Sequence, residues 1–507
     1  MTISNLKYRR QFLLTPVKCK QLSTWQVEKV DKHLIYVHPD CQFEKSFGIN
    51  NLYLIGYFFN PHKPKKSPKE ILNSLSSIKD IDEFPKELYS LVGRFVLIIK
   101  TENDFIFFND ACGLKTFYYA KENNNIYAAS QPLLINEVLP IKKTKAYELY
   151  FNSDYVTKKL EHYLPSGVTF YENIYHLIPN HFVKASELEQ KRYYPFKKLK
   201  KVNYSESVIK FSTLLKNIIL AANNNMDLAF TLTAGWDSRI ILSCCKDIID
   251  EVSFYTLRYR NMDEKHMDIK TPKSLSKSFN LNFNIFDCHM PINKEFMDIY
   301  ESNTDIPHQD WGKIAFGMSK TYPQQKVAIK GSCSEIGRCY YHRDENKEII
   351  LTENDFLQLE SGWDQLNFIR KGIRQWNNQL IKAGSYSYNL YDLFFWEHRV
   401  GSWTAQSQLE WDIVQEAFVP FNSRELLDLM LSIDISKRKK NNTFLFIDAI
   451  KLLWKEVLDE PINNTITLNR NLRSMFVNIV RKTGLLTILK KMNMLNNLRI
   501  KKMFRNY

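Results

Sequence analysis

The sequence has no apolar run of about 18 residues, so it offers no conventional membrane-spanning helix. Its first residues, MTISNLKYRRQFLLTPVK, are broken by charge throughout and lack the regions of a secretory signal. Cysteine is scarce: eight in 507 residues, with no CxxC pair and with Cys244 and Cys245 adjacent. That pattern excludes a disulfide framework and a zinc knuckle and fits a reducing compartment, so a cytoplasmic location is expected. The GxxxxGK[ST] nucleotide loop is missing, which removes the common kinase and GTPase architectures. Acidic residues are in deficit, 55 against 70 Lys and Arg, for a net charge of +15. Such a balance suits nucleic acid, an anionic membrane or a phosphate-rich substrate such as ATP. The basic residues are dispersed rather than striped, and no nucleic-acid partner is expected.

What is present is ample core-forming material, 44% hydrophobic and 14% aromatic, enough for two or three domains. Up to residue 195 the chain alternates turn residues with short β-branched and aromatic runs: NNLYLIGYFF, GRFVLIIK, DFIFFND, TFYYAK and NIYAAS. These predict an antiparallel sheet system. A linker follows in KRYYPFKKLKKVNYSES (191–207), with Ser205 as the expected N-cap of a helix whose apolar residues recur at helical spacing. From Leu228 onward strands and helices alternate: AFTL, then a helix from Ser238 to Cys245, EVSFYTL, DIKTPKSLSKSF, LNFNIF and KVAIKG. That order predicts a parallel α/β sheet with ligands at the carboxyl ends of its strands.

At one such end stands Thr233-Ala234-Gly235-Trp236-Asp237-Ser238. A strand, a tight turn and a helix starting near Asp237 and Ser238 would turn free N–H groups and a positive helix end toward an anion. Gly235 would let the backbone approach phosphate, the Thr233 and Ser238 hydroxyls could donate to it, and Asp237 could hold the Mg²⁺ of a nucleotide. Trp236 would then face solvent or substrate. An ordinary Asp-Ser helix cap is the alternative reading.

TAGWDSR resembles the SGGxDS pyrophosphate loop of the asparagine synthetase family, with Thr233 for the leading Ser and Ala234 for the first Gly. KGSCSEIGRCYY resembles that family's acidic segment and places Glu335 at its magnesium-holding acid, while Asp268 resembles the acid opening the helix after the second strand, or else caps it. QEAFVPFNSRELLDLMLSID resembles a scaffold segment, keeping Glu416, Pro420 and Phe421 but carrying Phe418 in place of Arg. In the first half, GRFVLII, FNDACGLKTFYYA, IYAASQPLLI and PSGVTFYENIYHLIPNH resemble the glutaminase domain of the same enzymes.

The resemblance implies a glutaminase-like (Ntn-type) α+β sandwich over 1–195, followed by an α/β pyrophosphate-loop synthetase domain (adenine nucleotide hydrolase-like) over 205–507. It implies ATP and Mg²⁺ as cofactors and activation of a small-molecule or peptide carboxylate as acyl-AMP, which an amine donor then attacks. Thr233, Ala234, Gly235, Asp237 and Ser238 are the expected nucleotide contacts, and Asp237 and Glu335 the expected metal ligands. The family's late lysine falls near Phe444, so Lys440 and Arg338 stand as catalytic cations beside Glu335, with Lys439 a neighbour. Glutamine-dependent members expose a Cys once Met is removed; here that position is Thr2, and Cys19 and Cys41, being internal, carry no free amine. Glutaminase activity is therefore not expected. Two other readings are a non-catalytic nucleotide-binding relic and another pyrophosphate-loop enzyme such as a tRNA-modifying ligase. The basic stretch 469–507 reads as a packed terminal helix or a peripheral membrane contact.

Overall fold

A computed structural model describes residues 3–159, 161–341, 351–384, 387–439 and 443–462. Thr2, Lys440 and the basic stretch 469–507 lie outside the described residues. The molecule is mixed α/β, with two antiparallel sheets and one parallel sheet.

The first half builds the two antiparallel sheets, each of six strands. One runs Tyr175–His176, Tyr118–Glu122, Asn125–Ala129, Phe12–Thr15, His33–Val37, Gln26–Val30. The other runs Gln190–Arg192, His181–Lys184, Phe105–Asn109, Val92–Lys100, Asn51–Phe59, Phe43–Ser46. Side chains alternate along each strand, so Phe12, Leu14, Ile35 and Val37 meet Ile55, Val96, Ile98 and Phe107 in one shared core. The rings of Phe107 and Phe117 lie 4.9 Å apart there. Strands Phe12–Thr15, Gln26–Val30, His33–Val37 and Phe43–Ser46 were not among the expected ones; each is short and carries polar residues beside its apolar ones.

The helix cap lies two residues before the expected one. Asn203, not Ser205, caps helix Tyr204–Asn223, its side chain accepting from the Glu206 amide. Tyr204 is fixed in the first turn because its hydroxyl donates to Asp448 at 2.8 Å.

The second half holds the five-stranded parallel sheet, ordered Phe283–Asp287, Ser253–Arg258, Leu228–Thr231, Val327–Ile329, Glu416–Phe418. Leu228, Phe230, Phe254, Val327 and Ile329 point to one face, and Ala229, Tyr255 and Ala328 to the other, where helices Lys294–Ser302 and Gln309–Thr321 lie. Both faces are therefore dry, as parallel sheets require. The fifth strand was read only as scaffold; Phe418 packs 6.0 Å from Phe59 and 6.4 Å from Tyr57, so an apolar ring there joins the halves.

Buried charge completes that joint. Arg94, 2% exposed, forks onto Asp412, 1% exposed, at 2.5 and 2.7 Å. Arg192 forks onto Glu397 at 2.6 Å, and Asn180 and Trp376 donate to the same carboxylate at 3.0 and 2.6 Å. Burial alone would raise the Glu397 carboxyl, but the guanidinium and these donors hold it down at about 2. Against an ordinary glutamate near 4.3, a depressed folded value contributes about 3 kcal/mol above pH 5, lost as pH falls toward 2. Glu397→Gln is expected to cost about 3–5 kcal/mol at pH 7, because Arg192 stays buried and unpaired. In urea titrations the gap between wild type and variant should shrink between pH 5 and pH 3; a pH-independent gap would show that the carboxylate's charge is not the stabilising element.

Candidate functional site

Strand order reverses between Leu228–Thr231 and Val327–Ile329, whose neighbours in sequence lie on opposite sides of them. Such a reversal opens a crevice at the carboxyl ends of the two strands. The segment after the first strand, 232–238, and the segment after the second, 330–338, meet in that crevice. An added Cβ on Gly331 would come within 2.7 Å of the Asp237 Cβ, so only glycine lets the segments approach this closely.

The loop is braced from within. Thr233 N–H donates to Ser238 Oγ at 2.9 Å, Gly235 N–H to Thr233 Oγ1 at 3.3 Å, and Ala234 N–H to Asp268 Oδ1 at 2.9 Å. The Thr233 and Ser238 hydroxyls thus accept from the loop backbone, while each keeps its O–H to donate. Asp268 does not cap its own helix; His266 does, and Asp268 reaches across from the first turn to tie down the loop. The helix begins at Trp236, one residue earlier than expected, with Gly235 at the cap in ordinary extended geometry (φ −81°). Trp236 is half-buried against the apolar core rather than turned out to solvent.

Further donors lie one step along the chain. Among the described residues the amides of Trp236, Asp237 and Ser238, the first turn of the nine-residue helix Trp236–Cys244, have no acceptor. These are the N–H groups that a helix start offers to an anion.

Asp237 Oδ1 accepts from Arg338 Nη1 at 2.7 Å and from the Ser334 hydroxyl. Arg338, expected as a catalytic cation, is thus the counter-ion of Asp237. Glu335 stands in the one-turn helix Ser334–Arg338, and enclosure and the nearby Asp237 charge push its carboxyl up to about 7. Two carboxylates in mutual repulsion, with one Oδ of Asp237 spare, suit the one or two protein carboxylates that Mg²⁺ takes. No cluster of three or more His, Cys, Asp or Glu placed for a metal occurs among the described residues. Phe444 begins helix Phe444–Trp454 and is 42% exposed, so that position supplies no cation.

Beside the crevice opens a cleft of about 530 Å³, lined by Lys330, Glu335, Arg399, Trp311, Trp403 and Trp411 among others. Lys330 follows strand Val327–Ile329 directly. Its ammonium lies 3.4 Å from Gln408 Oε1 and 4.5 Å above the Trp411 ring, and burial together with Arg94 pulls it down to about 7. The sequence reading missed Lys330, although its place at a strand end before Gly331 was a usable signal. It also missed Ser334, Gly331 and the three tryptophans, which come together only through the fold. A larger groove of about 870 Å³ lies at the linker, lined by Lys197, Lys198, Val202 and Ile209, and shares no residue with the strand ends.

No protein-family model and no curated protein matches the chain. Among solved structures, the allosteric regulatory enzyme of purine biosynthesis overlaps at TM-score 0.22 and 11% identity, over 52% of this chain. This chain spans 62% of that structure's length. Glutamine phosphoribosylpyrophosphate amidotransferase from B. subtilis, complexed with ADP and GMP, overlaps at 0.24 and 11%, over 66% of this chain and 72% of its own. Overlaps this shallow bear on neither fold nor activity.

The two glycines of the site should behave oppositely. Gly331→Ala is expected to lower stability by about 1–3 kcal/mol through crowding against Asp237. Gly235→Ala would meet only Thr233 Oγ1, at 3.5 Å, and should leave the melting temperature unchanged. Equal melting temperatures for the two variants would show that the segments do not meet as described.

Proposed function

We propose that this chain is an ATP-dependent ligase that activates a carboxylate as acyl-AMP and passes the acyl group to ammonia or a primary amine. The observation that carries this reading is the meeting, at the point of strand reversal, of three unpartnered amides with the Asp237 and Glu335 carboxylates. In the reaction a carboxylate oxygen attacks the α-phosphorus of ATP and the bond to pyrophosphate breaks. The amine then attacks the acyl carbon, AMP leaves, and one proton is released. No protein nucleophile is required; the protein orients the reactants and neutralises charge on the leaving group. The amides of 236–238 would hold the phosphates, with Arg338 a cation beside them. Magnesium, held by Asp237 and Glu335, would add the divalent charge that a nucleotide's phosphates bring with them.

The proposal includes no glutaminase step, because the residue that follows Met1 is Thr2 rather than Cys. A relic that binds nucleotide without turnover is the second reading, favoured by the Arg338–Asp237 pair.

Calorimetry should show magnesium-dependent ATP binding that Asp237→Ala weakens at least tenfold, and a panel of carboxylates should reveal pyrophosphate release. Absence of magnesium-dependent binding to the folded protein contradicts both readings; binding without pyrophosphate release on any carboxylate favours the relic. Incubation with glutamine should yield no glutamate above background.

A further inference from the structure

The cleft beside the strand ends carries the cations Lys330 and Arg399, the carboxylates Glu161 and Glu335, and flat indole walls. Arg260, at its rim, is already committed to Asp310 at 2.5 Å. Among the described residues the Lys330 ammonium has one hydrogen bond, the long one to Gln408, with the Asp412 and Glu416 charges acting on it without an ion pair, and Arg399 lies 3.9 Å from the Glu161 carboxylate while its Nη1 has no partner. Arg399 stacks on Trp403 at 3.5 Å, and Trp311 meets Trp403 edge to face at 5.3 Å. A desolvated cation with one weak hydrogen bond is stabilised by an incoming anion. The volume, about 530 Å³, lies in the range of pockets that enclose ligands well beyond the size of a single small amino acid. Indole walls bind ring faces, whether aromatic or the C–H face of a saturated ring, better than short flexible chains.

We propose that this cleft is the carboxylate-substrate subsite, and that Lys330 with Arg399 takes the carboxylate of a ring-borne acid whose body lies against Trp311, Trp403 and Trp411. The ring excludes a short aliphatic amino acid such as aspartate as the preferred occupant. Lys330 is then the cation of the site, standing on the strand end. This inference rests on the ligase reading for the use of the acid, but the binding itself does not need nucleotide turnover.

The test uses the full chain, with benzoate, glucuronate and aspartate as probes, titrated by calorimetry and tryptophan emission with and without Mg-ATP. At least one ring acid should bind tenfold or more tightly than aspartate: benzoate if the ring is aromatic, glucuronate if it is a sugar acid. Lys330→Gln should weaken that binding at least tenfold, Lys330→Arg by less, and Arg399→Gln by at least threefold, with Mg-ATP binding unchanged in each. Melting curves identify a variant that does not fold; if Lys330→Gln is one, Lys330→Arg and Arg399→Gln decide. Failure of both ring acids to bind the wild type, aspartate binding as tightly as they do, or unchanged affinity in the folded variants overturns the proposal. Loss of Mg-ATP binding alone, with ring-acid binding intact, overturns the ligase reading and leaves the subsite standing.

Discussion

The parallel register that sets Phe230 against Ile329 is the constraint on which the site depends. Because these two strands run side by side in the same direction, both release their chains at the same edge of the sheet, and the following segments have to share one crevice. The approach is close enough that Gly331 has room for no side chain beside Asp237. From that contact follow the placement of Ser334 and Arg338 on the Asp237 carboxylate and of Glu335 within reach of its charge. Displacing one strand by a single residue would turn every inward side chain to the other face and separate these groups.

The first half acts on the site through packing and charge. Its sheets enclose their own core, and it offers the second half a buried Arg94 and the rings of Tyr57 and Phe59. Arg94 balances Asp412 and, by its positive charge, helps to keep the Lys330 ammonium weakly basic. A surface that joins two halves thereby also sets the electrostatics of the neighbouring cleft. Buried pairs of this kind contribute little net stability relative to apolar packing, yet removing one partner is costly. That asymmetry fixes the halves in one arrangement.

Much of this was legible in the sequence where periodicity was strong. The long strands Asn51–Phe59 and Val92–Lys100, the helix through SVIKFSTLLKNIILAA and four of the five parallel strands follow from apolar spacing. The short unexpected strands of the first half were hidden because two to five residues with mixed polarity hold no period. At the site, local chemistry was readable and its partners were not: TAGWDSR announced a loop at a strand end, but the acceptor of the Ala234 amide is Asp268, supplied from another helix. Sequence likewise could not show that the Thr233 and Ser238 hydroxyls accept from the loop's own backbone. Arg338 was expected as a catalytic cation, and sequence could not show its pairing with Asp237, about a hundred residues away.

The unpartnered amides of Trp236, Asp237 and Ser238 bear the central claim, and hydrogen exchange reads them directly, because an amide without an acceptor exchanges fast unless a ligand covers it. Exchange in the segment 233–239 should slow markedly on adding ATP with magnesium and remain fast with ATP in the presence of a chelator. Unchanged exchange across that segment at saturating Mg-ATP, or protection confined to the linker groove around Lys197 and Ile209, would contradict the account.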